Sequence, residues 1–229
     1  IEDALKKNNL LFDPRIIKKG DPQNRIKKSK NKIVGKFNTG SQEHFYLEGQ
    51  VCLVVPQEDN NLTVYSSTQH PSETQQIIAK MLKQKSNSIT VMVRRIGGGF
   101  GGKETNFMTA AICALLSHKT GKPIKLRLDR DDDIIITGKR HDFYSEYEVG
   151  FNDNGKIQGL KLKLASRCGM SPDLSYAINE RALLHLDNAY YLKDLEVKNY
   201  LCKTNTSSST AFRGFGGNQG MMAIENVID

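Results

Sequence analysis

Five glycines in six residues, Gly97-Gly98-Gly99-Phe100-Gly101-Gly102, are the feature that most constrains what this sequence can fold into. Residues 89–94 before the run alternate apolar and polar positions as a strand does, and the pattern of residues 104–119 after it predicts a helix. Glycines let backbone N–H groups approach a ligand closely, and a helix N-terminus adds the positive end of its dipole. The order strand, glycine run, helix therefore predicts a ligand-binding loop suited to an anion.

Two nucleotide-binding patterns match this run by letter but not by chemistry. The stretch ending at Lys103 fits G-x-x-x-x-G-K, yet Glu104 follows where a P-loop has Ser or Thr for magnesium, and its carboxylate would repel phosphates. The stretch also fits G-x-G-x-x-G, but no acidic residue ends a second strand roughly 20 residues later. Both interpretations are disfavoured. A flexible loop without a ligand is the remaining alternative, although ordering so many glycines is costly.

The composition is that of a globular protein and argues against two classes of partner. Of 229 residues, 38% are hydrophobic and 25% are charged. No apolar run reaches the roughly 20 residues of a membrane span. The net charge of +8 arises largely from the basic stretch 18–36, which is typical of a solvated loop. No aromatic residue alternates with these charges to stack on bases. Membrane and nucleic-acid partners are therefore not expected.

The residue types that usually bind metals show no metal-binding pattern in this sequence. Cys52, Cys113, Cys168 and Cys202 form no C-x-x-C pair of the kind that binds zinc or iron–sulfur clusters. Scattered cysteines in apolar surroundings are usually reduced and buried, which favours a cytoplasmic protein. The consecutive acids 131–133 are expected either to alternate faces or to lie in a solvated turn, so a magnesium site there is disfavoured. The five histidines have no mutual spacing suited to metal. We therefore expect no metal held directly by protein side chains.

The chain divides into a leading segment and a larger folded part. Residues 1–40 are polar and basic, and they are predicted to connect to a preceding domain. Residues 41–229 alternate strands and helices in a pattern that predicts an α+β fold, with mixed sheets and packed helices. The predicted strands are 51–55, 62–65, 89–94, 124–128, 144–151, 156–166 and 195–201. Predicted helices begin at about 72 and 104, carry Arg181, and follow a second glycine-rich loop, 213–217.

Local signals mark the ends of two of these segments. Ser72 and Gln75 form a capping-box pattern at the start of the first predicted helix. The last predicted helix runs to Asp229, and Ile1 is not an initiator residue. The sequence is therefore expected to be a C-terminally truncated piece of a longer polypeptide.

A series of motifs resembles one known family. Residues 95–105, Arg-Ile-Gly-Gly-Gly-Phe-Gly-Gly-Lys-Glu-Thr, are similar to the cofactor loop of the xanthine dehydrogenase and aldehyde oxidase large subunits. Further matching motifs follow the family's order at residues 42–48, 66–69, 129–131, 137–141, 179–183 and 210–217. The ending at residues 48–50 resembles the bacterial branch, in which this subunit is a separate chain. The resemblance covers nearly the whole sequence and implies the first part of a molybdopterin-binding domain over 41–229.

The resemblance also implies how a cofactor is bound. In this family molybdenum is held by the dithiolene of a pterin and not by protein ligands. Gln69 matches a glutamine that hydrogen-bonds a terminal molybdenum ligand, and Phe100, between Gly99 and Gly101, matches a residue whose backbone N–H faces the metal's ligands. Arg213 matches an arginine that contacts the cofactor. These five residues are the expected cofactor-binding set.

Three further residues match positions that contact substrate. Phe215 matches one of two phenylalanines that sandwich the substrate ring, and Glu104 and Arg181 match the pair that grips a purine. A carboxylate can accept from purine N–H groups, and a guanidinium can stabilise the negative charge that develops on a carbonyl oxygen. Glu104 and Arg181 are therefore the expected catalytic residues. Their alternatives are a first-turn helix acid favoured by the dipole and an ordinary surface arginine paired near Glu180.

The function implied by the resemblance is oxidation of hypoxanthine and xanthine to urate, with water as the oxygen source. Electrons would pass through [2Fe-2S] clusters and FAD to NAD, all carried by other domains or subunits. The implied partners are the remainder of the large subunit and an FAD and iron–sulfur subunit, assembled as a dimer of heterodimers. The general base would be a glutamate near the end of the subunit, beyond these residues.

Two other functions stay open at this point. One is a hydroxylase of the same family acting on aldehydes or other N-heterocycles, which is expected to carry apolar residues at the positions of Glu104 and Arg181. The other is a non-catalytic module that binds nucleotides or nucleic acid through the glycine loop and the basic stretch; its binding to DNA would depend on salt.

Overall fold

The computed structural model describes all residues, 1–229, as two compact units. One unit joins residues 1–42 to residues 139–229, and the other contains residues 43–138. Each unit has one mixed β-sheet, and together they contain nine strands and seven α-helices. The α+β prediction is confirmed.

The unit of residues 1–42 and 139–229 is built on a five-stranded sheet. Its elements are α1 (Glu2–Lys6), β1 (Arg15–Lys19), α2 (Pro22–Lys28), β2 (Asn31–Thr39), β7 (Phe143–Phe151), β8 (Ile157–Gly169), α6 (Ser175–Leu184), β9 (Leu195–Lys203) and α7 (Gly217–Ile228). The strand order is β1-β9-β8-β7-β2, in which only β8 and β9 are parallel neighbours. Buried residues of α6, α7 and the sheet, among them Leu164, Ala182 and Ala223, form a shared core. Residues from both helices and the sheet thus hold α6 in place.

The unit of residues 43–138 is a smaller layered structure. Its elements are β3 (Val51–Pro56), β4 (Leu62–Ser66), α3 (Pro71–Leu82), β5 (Ile89–Met92), α4 (Met108–Thr120), β6 (Ile124–Arg127) and α5 (Arg130–Ile136). The strand order is β5-β4-β3-β6, with β4 and β5 parallel. Alternate sheet residues such as Val54 and Val64 are buried against Ile78 of α3 and Ala114 of α4. Each of these strands agrees with a predicted one to within two residues.

The prediction of a solvated loop at 18–36 was wrong. β1 and β2 are the outer strands of the five-stranded sheet, and α2 lies between them in the chain. The basic side chains are compatible with strands because they face acidic neighbours: Lys18 pairs with Glu196 at 3.8 Å and Lys36 with Glu146 at 3.7 Å. The strand prediction looked for alternating apolar residues, and β1 and β2 instead carry lysines that pair with glutamates on the neighbouring strands. That residues 1–40 connect to a preceding domain stays a prediction.

Three other local predictions also differ from the structure. Pro71 begins α3, the N-cap His70 makes no side-chain cap bond, and Gln75 Nε2 donates to the Ile89 carbonyl instead of closing a capping box. The helix predicted from 104 begins at Met108. The solvated-turn alternative for the acidic run 131–133 does not hold either, because the run lies within α5, where Asp133 is buried.

The cysteines behave as predicted. Cys52, Cys113, Cys168 and Cys202 are all buried and carry free thiols. Burial raises the pKa of the Cys202 thiol to about 11, so it is protonated at neutral pH. None of the helices has the length and apolar character needed to cross a membrane.

Candidate cofactor and substrate site

The first glycine loop lies in the unit of residues 43–138, between β5 and α4. Gln69 anchors it: its Oε1 accepts hydrogen bonds from Gly101 N at 2.8 Å and Lys103 N at 3.3 Å, and its own N–H donates to the Lys103 carbonyl at 2.8 Å. A Cβ on Gly99 would lie 2.4 Å from Gln69 Oε1, so only glycine allows this close approach. Phe100 has a positive φ of 54° and a half-exposed ring. The predicted cofactor residues of this unit are therefore in mutual contact.

Lys103 is a structural cation and not a phosphate-binding one. Its side chain is 1% exposed, and Nζ donates to the carbonyls of Glu48, at 2.6 Å, and Ile96. The ammonium also lies 4.6 Å from the centre of the Tyr46 ring. Burial lowers the pKa of Lys103 to about 8, so it stays charged at neutral pH. Because its donors face the protein's own carbonyls, the P-loop interpretation is excluded by geometry as well as by Glu104.

A buried polar network supports the loop from the other side. Asp133 accepts from Tyr46 Oη at 2.6 Å and from Gln50 N at 3.0 Å. Gln50 Nε2 then donates to Tyr46 Oη at 2.9 Å and to the Gly102 carbonyl at 3.0 Å. Sequence reasoning missed these three residues. The available signal was that Tyr46 lies within the matching motif 42–48, that Gln50 ends residues 48–50, and that Asp133 follows the motif 129–131.

Glu104 is half-buried in the turn that follows the loop. Its backbone N donates to the Gly101 carbonyl at 3.3 Å, and α4 begins four residues later at Met108. The alternative of a first-turn helix acid is therefore wrong. Glu104 therefore belongs to the turn that directly follows the glycine loop.

The second glycine loop, residues 213–217, lies in the other unit. Phe215 has a positive φ of 46°, and its N donates to the Phe212 carbonyl at 2.7 Å, which makes a tight turn. Arg140 supports this turn: Nη2 donates to the Arg213 carbonyl at 3.0 Å, and the guanidinium lies 3.9 Å from the centre of the Phe212 ring. Nε of Arg140 donates to Gln42 Oε1 at 2.6 Å. A buried arginine, also missed from the sequence, thus fixes the backbone that presents Arg213 and Phe215.

Arg181 lies on α6, next to the second glycine loop. Its side chain is exposed, and a Cβ on Gly217 would lie 3.7 Å from its Nε. Glu180, its neighbour, is bound by Arg15 at 3.0 Å and is not its partner. The structure therefore brings Arg181 close to the loop that carries Phe215 and Arg213, with a guanidinium available to a ligand.

Glu225 is engaged in the structure of α7. Its Oε1 accepts from Asn188 Nδ2 at 2.6 Å and its Oε2 from Tyr190 Oη at 2.7 Å. It is the only glutamate after Arg213. With both oxygens bound by side chains that follow α6, Glu225 joins that segment to α7.

The buried His141 should make the free energy of unfolding depend on pH in the unit that carries Arg181. The ring is buried, Nε2 lies 2.7 Å from Ser175 Oγ, and burial lowers the pKa of His141 from 6.5 to about 3. Below pH 6.5 the His141 imidazole is therefore protonated in the unfolded state but stays neutral in the folded state until the pH approaches 3. We expect the free energy of unfolding to fall as the pH decreases from 6.5 towards 3, by up to about 1.4 kcal/mol per pH unit.

Calorimetric unfolding between pH 7 and 4 measures this dependence. His141→Gln should flatten it, whereas the same change at the exposed His118 should leave it as in the wild type. Equal slopes in the wild type and His141→Gln would contradict the assignment of a neutral buried imidazole.

The two units thus each contain a glycine loop supported by buried or half-buried polar side chains. In a comparison with protein families, the family described as molybdopterin cofactor-binding domain matches residues 1–229. The chain belongs to this family.

Individual relatives agree with the family. The chain is 45% identical over 227 residues to xanthine dehydrogenase/oxidase of Gallus gallus and 46% identical over 228 residues to that of Mus musculus. Each match covers 98% of this chain and 17% of the relative, so the chain spans about a sixth of these proteins' length. The structure of quinoline 2-oxidoreductase from Pseudomonas putida 86 matches with a TM-score of 0.89 and 20% identity, covering 100% of this chain and 31% of that one. This last match shows a shared fold.

Proposed function

We propose that this chain is the part of a xanthine dehydrogenase-like molybdenum hydroxylase that contacts both the cofactor and a purine substrate. The observation that carries the proposal is the pair of charged residues placed at the glycine loops: Glu104 directly follows one loop, and Arg181 lies against the other. A carboxylate and a guanidinium suit the N–H and carbonyl groups of a purine. A hydroxylase for apolar aldehydes has no use for either charge.

The residues fit a molybdenum–molybdopterin cofactor. The hydrogen bonds within the first loop are donated by the N–H groups of residues 101–104. The N–H of Phe100 is not used in these bonds, so it can donate to a ligand. Gln69 uses its oxygen on the loop, so its amide nitrogen is the group that can donate to a ligand. In the other unit, Nη1 of Arg140 is buried without a hydrogen-bond partner. We propose that Gln69, Gly99, Phe100, Gly101 and Arg213 hold the cofactor.

When bound, this cofactor supplies an oxidising centre for the removal of two electrons from a ring carbon, with water as the oxygen source. The chain's own residues bind and orient the purine. Glu104 accepts from a purine N–H, the Phe215 ring stacks on the purine face, and Arg181 donates to the carbonyl oxygen on which negative charge grows. Glu104 therefore contributes mainly to binding, and Arg181 mainly to the rate.

The proposal extends to parts that lie outside these residues. The remainder of the large subunit would complete the cofactor site, and an FAD and iron–sulfur subunit would carry electrons to NAD, in a dimer of heterodimers. The free, buried thiols are compatible with a cytoplasmic location.

Substrate preference of the intact enzyme tests the proposal. We expect xanthine to be converted to urate with a kcat/KM at least about 100-fold above that for a small aldehyde, because two charged hydrogen bonds, from Glu104 and Arg181, at roughly 1.5 kcal/mol each serve only the purine. A preference for aldehydes would favour the alternative, an aldehyde hydroxylase. Failure to oxidise either substrate would reject both.

A further inference from the structure

We propose that Gly220 is a specificity-determining position, because the contact it allows between α6 and α7 sets the spacing between Arg181 and Phe215. The inference rests on the proposed function, in which these two side chains hold the purine. It concerns a residue that touches neither substrate nor cofactor.

The two helices meet through backbone atoms. A Cβ on Gly220 would lie 2.1 Å from the carbonyl oxygen of Ala182, and a Cβ on Gly216 would lie 2.0 Å from that of Ile178. Real Cβ atoms do not approach other atoms so closely, so any side chain at these positions must push the helices apart. The contact therefore exists only because both positions are glycine.

Along the chain, this contact adjoins the two proposed substrate groups. Ala182 directly follows Arg181 on α6, and Gly216 directly follows Phe215 at the start of α7. Moving α7 away from α6 would carry Phe215 away from Arg181. Arg181 precedes Ala182 within α6, and Phe215 lies five residues before Gly220, so a shift of the helices is passed on to both side chains.

Helix α6 is also fixed on its other side, so it cannot simply follow α7. Ser166 Oγ donates to Asn179 Oδ1 at 2.9 Å, Asn199 Nδ2 donates to the Asn179 carbonyl at 2.8 Å, and Ser175 Oγ lies 2.7 Å from His141 Nε2. All of these side chains are buried. The added volume at Gly220 must therefore be accommodated mainly by movement of α7 and its preceding loop.

A displacement of this kind affects substrates unequally. A bicyclic purine must reach the guanidinium and the phenyl ring together, whereas a small aldehyde needs no such simultaneous contact. Misplacement by about 1 Å can cost up to about 100-fold in rate. The spacing is therefore expected to discriminate between purines and small substrates.

The test compares Gly220→Ala with Gly40→Ala in the intact, cofactor-loaded enzyme. Gly220 is a helical residue without a positive φ, so an alanine there meets the clash and no backbone strain. Gly40 is exposed with no atom within 4 Å of an added Cβ, so it controls for the added methyl group. In Gly220→Ala we expect the Kd for urate, measured by calorimetry, to rise about tenfold and kcat/KM for xanthine to fall by about 10- to 100-fold. For acetaldehyde, kcat/KM per molybdenum bound should change less than about threefold, and Gly40→Ala should match the wild type.

Equal losses for xanthine and acetaldehyde, or no change in urate binding, would overturn the inference. If Gly220→Ala does not accumulate as folded protein, Ser175→Ala loosens the same helix without adding an atom, and it must show the same selective loss for xanthine; a uniform effect contradicts the proposal. A wild-type enzyme that neither binds urate nor oxidises xanthine would instead overturn the proposed function.

Discussion

Residues 1–229 expressed as an isolated chain should retain no molybdenum cofactor and should not oxidise xanthine measurably. Under the proposed function the general base is a glutamate near the end of the large subunit, beyond these residues. Glu225 is the only glutamate after Arg213, and both of its oxygens are bound, by Asn188 and Tyr190. Loss of a positioned base typically removes about 10²–10⁴-fold in rate. The contacts that the remainder of the subunit makes with the cofactor would be missing as well.

The isolated chain should also self-associate. Helix α4 exposes an apolar stripe of Met108, Ile112, Leu115 and Leu116, each about 40% exposed. Surfaces of this kind mark interfaces or drive aggregation. Mass spectrometry for molybdenum and an assay of xanthine oxidation with an artificial electron acceptor, both run beside the intact enzyme, measure the outcome. Stoichiometric molybdenum with turnover near that of the intact enzyme would show that the active site lies within these residues.

Arg181→Ala in the intact enzyme should lower kcat more than it raises KM. The partner charge of Arg181 on the purine oxygen grows only in the transition state, so its loss affects the rate and not the ground-state complex. Glu104→Ala should instead raise KM, because it removes a charge-assisted hydrogen bond of roughly 1.5–3 kcal/mol that is made on binding. Steady-state kinetics with xanthine separate the two effects.

Glu180→Ala is the matched control for Arg181→Ala. Glu180 is the next residue towards the N-terminus and makes a surface ion pair with Arg15 at 3.0 Å. Such pairs contribute about 0–1 kcal/mol to stability, so kcat and KM should both stay near the wild-type values. Unchanged kinetics in Arg181→Ala or in Glu104→Ala would reject the purine assignment.

Secondary structure could be predicted from the sequence wherever apolar residues follow one regular period. In β3 and β4 buried residues alternate with partly buried ones, β5 begins with the buried Ile89, and all three strands were predicted. The strands β1 and β2 were missed because their outward positions pair lysines with glutamates on strands that are distant in the sequence. Cross-strand pairing of charges cannot be recognised until the partner strands are known.

The candidate site divides in the same way. Gln69, Gly99, Phe100 and Gly101 belong to local motifs, and the structure brings them into contact. The residues that support the loops, Lys103 and Arg140 among them, were given no structural role, because a buried cation bonded to carbonyls has the same sequence signature as a surface one. Their role depends on which carbonyls face them, and that is a property of the fold.

Molybdenum and pterin content of the intact protein tests the central claim most directly, since both glycine loops are interpreted as parts of a cofactor site. We expect about one molybdenum and one pterin per copy of this chain, measured by mass spectrometry of the metal and fluorescence of the oxidised pterin, together with conversion of xanthine to urate. Protein that is folded and active towards any substrate while containing neither molybdenum nor pterin would contradict the account.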